Sequence, residues 1–164
     1  TMVYGFGFTL GWKNLSLGMM FQGVAGAERV LNGSSINPFN GGGGSGNLYS
    51  NIGDRWTEEN PDQNAFYPRL SYGSETTSSI NNFQKSTWWV RNMNFLRLKT
   101  LQLSYNLPKP WVNKVHLKNA AVYVMGTNLF TLSRFKLWDP ELNTDNGASY
   151  PNTTSYSVGI NFTF

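Results

Sequence analysis

Residues 153 to 164 read TTSYSVGINFTF, and this stretch decides the fold. From its fourth residue onward, a large apolar side chain occupies every second position, and Ser, Gly, Asn or Thr fills the positions between. Successive side chains of a strand point to opposite faces of a sheet, so this period of two predicts a strand with one apolar face. The apolar positions are Tyr156, Val158, Ile160, Phe162 and Phe164.

Four further stretches are predicted as strands on the same grounds: residues 1–12, 15–23, 95–107 and 119–132. The pair Lys13-Asn14 between the first two is suited to a two-residue hairpin turn, so these strands are expected to be antiparallel neighbours. In 119–132 neither face is cleanly polar. The pattern there leaves open whether Val122 and Val124, or Tyr123 and Met125, point outward.

The distribution of charge indicates what surrounds the apolar faces. The 164 residues include 15% aromatic and only 13% charged side chains, and the positions opposite the apolar ones are mostly uncharged Ser, Thr, Gly, Asn and Gln. A soluble sheet normally carries interspersed Lys and Glu on its outer face. The pattern therefore favours a transmembrane β-barrel with lipid against its apolar side. A soluble carbohydrate-binding β-sandwich is the alternative.

The connections between the predicted strands alternate in length. Residues 13–14 and 108–118 are short, whereas residues 24–94 and 133–152 are long. Short periplasmic turns and long extracellular loops are typical of outer-membrane barrels. Five strands cannot close a barrel, and an open sheet edge in hydrocarbon would leave backbone groups unpaired. We therefore expect the chain to be part of a longer barrel protein.

Composition argues against catalysis and against a metal site or cofactor. Cysteine is absent and His116 is the single histidine, which removes thiol chemistry and most triads. The segment DPELNTDNG, residues 139–147, alternates oxygen-bearing side chains, but Pro140 and Thr144 stand where a calcium loop does not accept them. We interpret it as a loop corner. Basic residues are scattered through turns and loops, so nucleic-acid binding is not expected.

Four segments together resemble one protein family. They are RWTEENPDQNAFYPRL (55–70), LRLKTLQLSYNLPKPW (96–111), VYVMGTNLFTLSRFKLWDPE (122–141) and YPNTTSYSVGINFTF (150–164). In this order they resemble the C-terminal part of SusC/RagA-family TonB-dependent outer-membrane transporters of Bacteroidetes. Glu58 stands where that family more often has Pro.

The resemblance implies an all-β chain that forms the last five antiparallel strands of a barrel of about 22 strands. Residues 24–94 and 133–152 would be extracellular loops, and the plug and N-terminal domains would lie outside this chain. It further implies the outer membrane of a Gram-negative bacterium, a SusD-like surface lipoprotein as partner, and energy from the TonB complex. The expected function is import of an oligosaccharide, with a peptide, as in RagA, as the alternative. A passive porin is a further alternative.

Two groups of residues are predicted to be functional. Aromatic and cationic side chains near the expected lumen mouth are candidates for contact with cargo or lipoprotein: Trp88, Trp89, Arg91, Tyr67 and Trp138. The terminal alternation resembles the signal that barrel-assembly machinery recognises, carried by Tyr156, Val158, Ile160, Phe162 and Phe164.

Overall fold

A computed structural model describes residues 1–33, 35–39, 48–70, 82 and 84–164. The strands are β1 (Met2–Trp12), β2 (Leu15–Ala25), β3 (Glu28–Val30), β4 (Val90–Asn92), β5 (Phe95–Asn106), β6 (Asn119–Ser133) and β7 (Ser155–Thr163). A short helix α1 (Lys109–Lys114) and a 3-10 turn (Thr87–Trp89) are also present. The chain divides into two compact units, the first comprising Thr1–Ala27, Asn92–Leu142 and Tyr150–Phe164, and the second Glu28–Arg91 and Asn143–Ser149.

The first unit is built on one five-stranded sheet in the order β1-β2-β5-β6-β7. Every neighbouring pair is antiparallel, which confirms the predicted all-β, antiparallel class. Trp12 pairs with Leu15, so Lys13 and Asn14 form the expected two-residue turn. Lys13 has a φ of 52°, the sign that primed hairpin turns require at their first position.

The sheet has one continuous apolar face. Residues directly opposite each other in an antiparallel pair project to the same side, and the register aligns the large apolar residues of all five strands. Leu10 is 58% exposed and Val158 is 74% exposed. An exposed apolar surface of this extent is unusual on a soluble monomer. Among the described residues, no second sheet covers it.

Strand β6 is oriented by its partners, which answers the question that its sequence left open. Val124 lies opposite Leu103 on one side and Val158 on the other. Val122 lies between Tyr105 and Ile160 in the same way. Both valines therefore belong to the apolar face, and Tyr123 and Met125 belong to the polar face.

A β-bulge in β5 changes the phase of its alternation. Met20 and Phe21 are adjacent in β2 but pair with Thr100 and Leu98 of β5, so Lys99 is the additional residue. Because a bulge adds a residue to one strand, even-numbered leucines before it and odd-numbered leucines after it share a face. Leu98 and Leu101 accordingly lie on the same apolar side.

The second unit has its own core, in which Leu31, Ile36, Ala65, Tyr67 and Trp89 are buried. Its regular structure includes the 3-10 turn and the β3–β4 pair. In the described ranges, no helix combines the length and the apolar character that a membrane crossing demands.

Candidate functional site

A buried ion-pair cluster lies on the polar face of the sheet. Arg97 in β5 has a side chain only 3% exposed and forms a close ion pair and hydrogen bond with Asp139. Its guanidinium also lies 3.4 Å from the Glu141 carboxylate, which accepts a 2.9 Å hydrogen bond from Lys99. The Arg97 guanidinium lies 5.7 Å from the ring centre of Phe95. Each buried charge is thus compensated, which is the condition under which such groups are tolerated.

The electrostatics favour the ionised carboxylates. Burial by itself would raise the pKa of Asp139, but hydrogen bonds from the Arg97 side chain and the Glu141 backbone N–H outweigh it and lower that pKa. Asn152 donates a further 3.0 Å hydrogen bond to Glu141. The cluster therefore fixes the β6–β7 connection onto the sheet within the first unit.

The same connection supplies a second ion pair, in the second unit. Arg29 lies 3.0 Å from the Asp145 carboxylate and donates a hydrogen bond to the Asn143 side chain. The alternating oxygen-bearing residues of 139–147 are thus committed to cations of the chain itself, which supports the interpretation as a loop corner. Among the described residues, no three His, Cys, Asp or Glu side chains come together as metal ligands.

Four of the predicted site residues meet in one aromatic cluster of the second unit. Phe66 makes edge-on contacts with Tyr67 and Trp89, at ring-centre distances of 4.7 Å and 6.4 Å. Arg91 lies over the Phe66 ring at 4.9 Å and donates hydrogen bonds to the carbonyls of Phe66 and Trp88. These four residues thus lie in one packed cluster.

The members of this cluster differ in how far they are buried. Tyr67 and Trp89 are 2% and 1% exposed, and burial raises the pKa of the Tyr67 phenol. The Trp89 indole donates a 2.9 Å hydrogen bond to the Asn82 carbonyl. Trp88 and Arg91 are half-buried, and desolvation lowers the pKa of Arg91. Tyr67 and Trp89 thus pack the interior, whereas Trp88 and Arg91 retain accessible surface; contact with cargo or lipoprotein stays a prediction for all four.

The segment 55–70 closes on itself. Arg55 and Tyr67 form a parallel β-bridge, and the Trp56 N–H donates a 2.9 Å hydrogen bond to the Tyr67 carbonyl. Beside this bridge lies a shallow cleft of about 370 Å³ lined by Arg55, Trp56, Thr57, Glu58, Glu59, Arg69 and Leu70. Glu58 stands at the position where the resembled family more often has Pro. Its carboxylate forms an exposed ion pair with the Arg69 guanidinium, at a distance of 3.1 Å.

The remaining predicted residues lie in the first unit. Trp138 stacks edge-on against Phe135 at 4.9 Å, and its buried indole N–H has no hydrogen-bond partner among the described residues. The five terminal residues of the proposed assembly signal are all exposed, by 56% to 77%. Their role in assembly stays a prediction. The Arg97–Asp139 ion pair was not predicted from the sequence. The alternating oxygen-bearing residues of 139–147, which include Asp139, were the feature that could have indicated it.

Two features define the class of protein to which this fold belongs: an antiparallel sheet with one exposed apolar face, and a polar face that carries compensated charges. This is the construction of a section of a transmembrane β-barrel. No family model matches the chain.

Individual relatives identify the family. The chain is 35% identical to TonB-dependent receptor P26 of Formosa agariphila and 29% identical to TonB-dependent receptor P3 of the same organism, over 99% and 98% of its length. Its fold matches a structure of the RagAB peptide importer in the closed-closed state with a TM-score of 0.73 and 29% identity over 99% of the chain. The open-open state of the same importer gives a TM-score of 0.70.

These matches confirm the resemblance that the motifs indicated. The chain is homologous to a segment of TonB-dependent receptors of the SusC/RagA type. It spans only 17% of the length of the first of these relatives and 17% of the RagAB chain.

Proposed function

We propose that this chain is the C-terminal barrel segment of an outer-membrane importer of large nutrients that is energised through TonB. The observation that carries the proposal is the match over 99% of the chain to a peptide importer, in a sheet whose exposed apolar face is suited to lipid. The importer would contain about 22 strands and a plug contributed by other parts of the protein.

A SusD-like surface lipoprotein is the proposed partner, at the side of the long loops. Support comes from the resemblance of segments 55–70 and 122–141 to the SusC/RagA pattern. Half-buried Trp88 and Arg91 are the proposed contact residues, since each keeps accessible surface on a well-packed cluster.

The cargo is an oligosaccharide or a peptide. The SusC resemblance is the basis for an oligosaccharide, and similarity to the RagAB peptide importer favours a peptide. Exposed aromatic side chains can stack on sugar rings or hold apolar peptide side chains.

The test is uptake by cells that carry the complete gene or its deletion. Fluorescent oligosaccharides and peptides are offered separately, with and without a functional TonB. We expect uptake of one cargo class that requires both the gene and TonB. Uptake that continues without TonB would indicate a passive porin instead, and the absence of uptake of either class would contradict an importer.

A further inference from the structure

The short connections of the first unit meet at one end of its sheet. The turn at Lys13–Asn14, helix α1 and the end of β7 lie there because β1, β2, β5, β6 and β7 all begin or end at this side. The Asn106 N–H donates a 2.8 Å hydrogen bond to the Asn14 carbonyl, and the Lys118 N–H donates one of 2.8 Å to Thr163. We call residues 12–14, 106–118 and 162–164 the short-turn end.

The short-turn end is uniformly basic. It carries four exposed lysines, Lys13, Lys109, Lys114 and Lys118. No Asp or Glu occurs in residues 1–27 or 92–138, so the acidic residues of the chain all belong to other segments. A surface with this charge complements a partner that carries several negative charges.

The same end exposes aromatic and aliphatic side chains. Helix α1 buries Val112, which is 3% exposed, and presents Trp111, which is 64% exposed; Val115, directly after the helix, is 62% exposed. Trp12 is 69% exposed, and the Lys13 ammonium lies 4.9 Å from its ring centre. Exposed tryptophan beside lysine is the combination that membrane proteins place at the boundary between lipid and water.

These observations favour a lipid over an acidic protein as the partner. Trp12 and Phe162 belong both to the short-turn end and to the apolar face of the sheet, so the basic surface is continuous with that face. A lipid offers an acyl chain to the apolar face and a phosphate to the adjacent lysines. An acidic protein would contact the lysines alone, whereas a lipid contacts both the lysines and the adjoining apolar face.

We propose that the short-turn end binds the headgroups of anionic phospholipids. Lys109, Lys114 and Lys118 pair with headgroup phosphates, while Trp111 and Val115 insert between the headgroups. The inference rests on the proposed function, in which the sheet spans the outer membrane with its short turns on the periplasmic side.

The experiment uses the complete receptor, purified in detergent micelles that contain either phosphatidylglycerol or phosphatidylcholine. Native mass spectrometry counts the lipids that each sample retains. We compare the parent receptor with the triple variant Lys109→Gln/Lys114→Gln/Lys118→Gln. The matched control is Lys85→Gln/Arg134→Gln/Lys136→Gln, which removes three exposed cations outside the short-turn end.

The parent receptor is expected to retain phosphatidylglycerol in preference to phosphatidylcholine. A lysine near an anionic surface contributes roughly a fivefold change in affinity, so the triple variant should lose the preference while the control keeps it. Trp111→Ser, which leaves the charge unchanged, should weaken retention of both lipids. This single variant also tests the surface if the triple variant does not fold.

Three results would overturn the inference. The parent receptor shows no preference for the anionic lipid; the triple variant and the control lose it equally; or retention is unchanged while a co-purifying soluble protein is lost. Flotation with vesicles separates this inference from the proposed function. A receptor that inserts into vesicles without lipid preference contradicts the lipid site alone, whereas failure to insert contradicts the membrane assignment itself.

Discussion

At the scale of single residues, the pair formed by Arg97 and Asp139 has the clearest energetic consequence. Both carboxylates that approach Arg97 belong to the β6–β7 connection, and the Arg97 side chain is 3% exposed. Removal of one partner from a buried pair is costly because it leaves an uncompensated charge, whereas exposed pairs contribute little. The burial of an ion pair therefore decides how much it contributes to the stability of the fold.

Arg97→Met should lower the free energy of unfolding by about 3 kcal/mol, since Asp139 and Glu141 lose their buried cation. The control is Arg69→Met, because the Arg69 and Glu58 side chains are 68% and 72% exposed. We expect the control to change stability by less than about 0.5 kcal/mol. The measurement is the unfolding temperature of the complete receptor in detergent. Equal shifts for the two variants would contradict a buried pair.

The lowered pKa of Asp139 predicts a defined dependence on pH. A carboxyl group whose pKa is lower in the folded state stabilises the fold above its ordinary value of 3.8, and this stabilisation is lost as the pH falls through the lowered pKa. The difference in unfolding temperature between the parent and Asp139→Asn should therefore be constant down to about pH 5 and shrink at lower pH. A difference in unfolding temperature that grows on acidification would contradict a lowered pKa of Asp139 in the folded state.

At the scale of elements, tyrosine rings of one strand pack over glycines of the adjacent strand. A Cβ added at Gly159 in β7 would lie 2.5 Å from the Tyr123 ring, because that ring covers the glycine from β6. On the apolar face, the ring of Tyr4 covers Gly23 in the same manner, with a Cβ distance of 2.3 Å. Aromatic side chains over strand glycines pin the register of a sheet.

Gly159→Ala should cost about 1 kcal/mol, because the new methyl group displaces the Tyr123 ring. In a Tyr123→Ala background the same substitution should cost nothing, so a double-mutant cycle isolates the contact. Gly11→Ala is the control, since a Cβ there meets nothing within 4 Å. Heat-dependent migration of the complete receptor on gels measures the effect. A cost that persists without the Tyr123 ring would exclude this contact as its origin.

At the scale of the whole sheet, the exposed apolar face is the feature on which the proposed membrane location rests. Side chains of all five strands contribute to it, and no element among the described residues covers it. Substitutions should therefore be tolerated according to the face on which they fall rather than according to residue type alone.

Val158→Arg and Ser157→Arg compare the two faces at adjacent positions of β7. Val158 is opposite Val124 on the apolar face, and Ser157 is opposite Met125 on the polar face. Arginine in the middle of the lipid-facing band costs about 2–4 kcal/mol, so Val158→Arg should reduce the amount of folded receptor in the outer membrane. Ser157→Arg should leave that amount near the parental level. Similar amounts for both variants would contradict a lipid-facing side.

The sequence by itself determined the antiparallel all-β class, the hairpin turn at Lys13–Asn14 and the apolar faces of β1, β2 and β7. Each of these depends on local chemistry: the alternation of side chains along one strand, and the backbone preferences of a two-residue turn. The family resemblance was also readable from four short segments, because their order and spacing are properties of the chain alone.

Only the tertiary structure decided the orientation of β6, the phase change in β5 and the partners of Arg97. These depend on which residue lies opposite which across neighbouring strands. Val124 is assigned to the apolar face by Leu103 and Val158, and Arg97 is neutralised by a carboxylate 42 positions away in sequence. An alternation shows that a strand has two faces, but cross-strand pairing is what fixes the environment of each face.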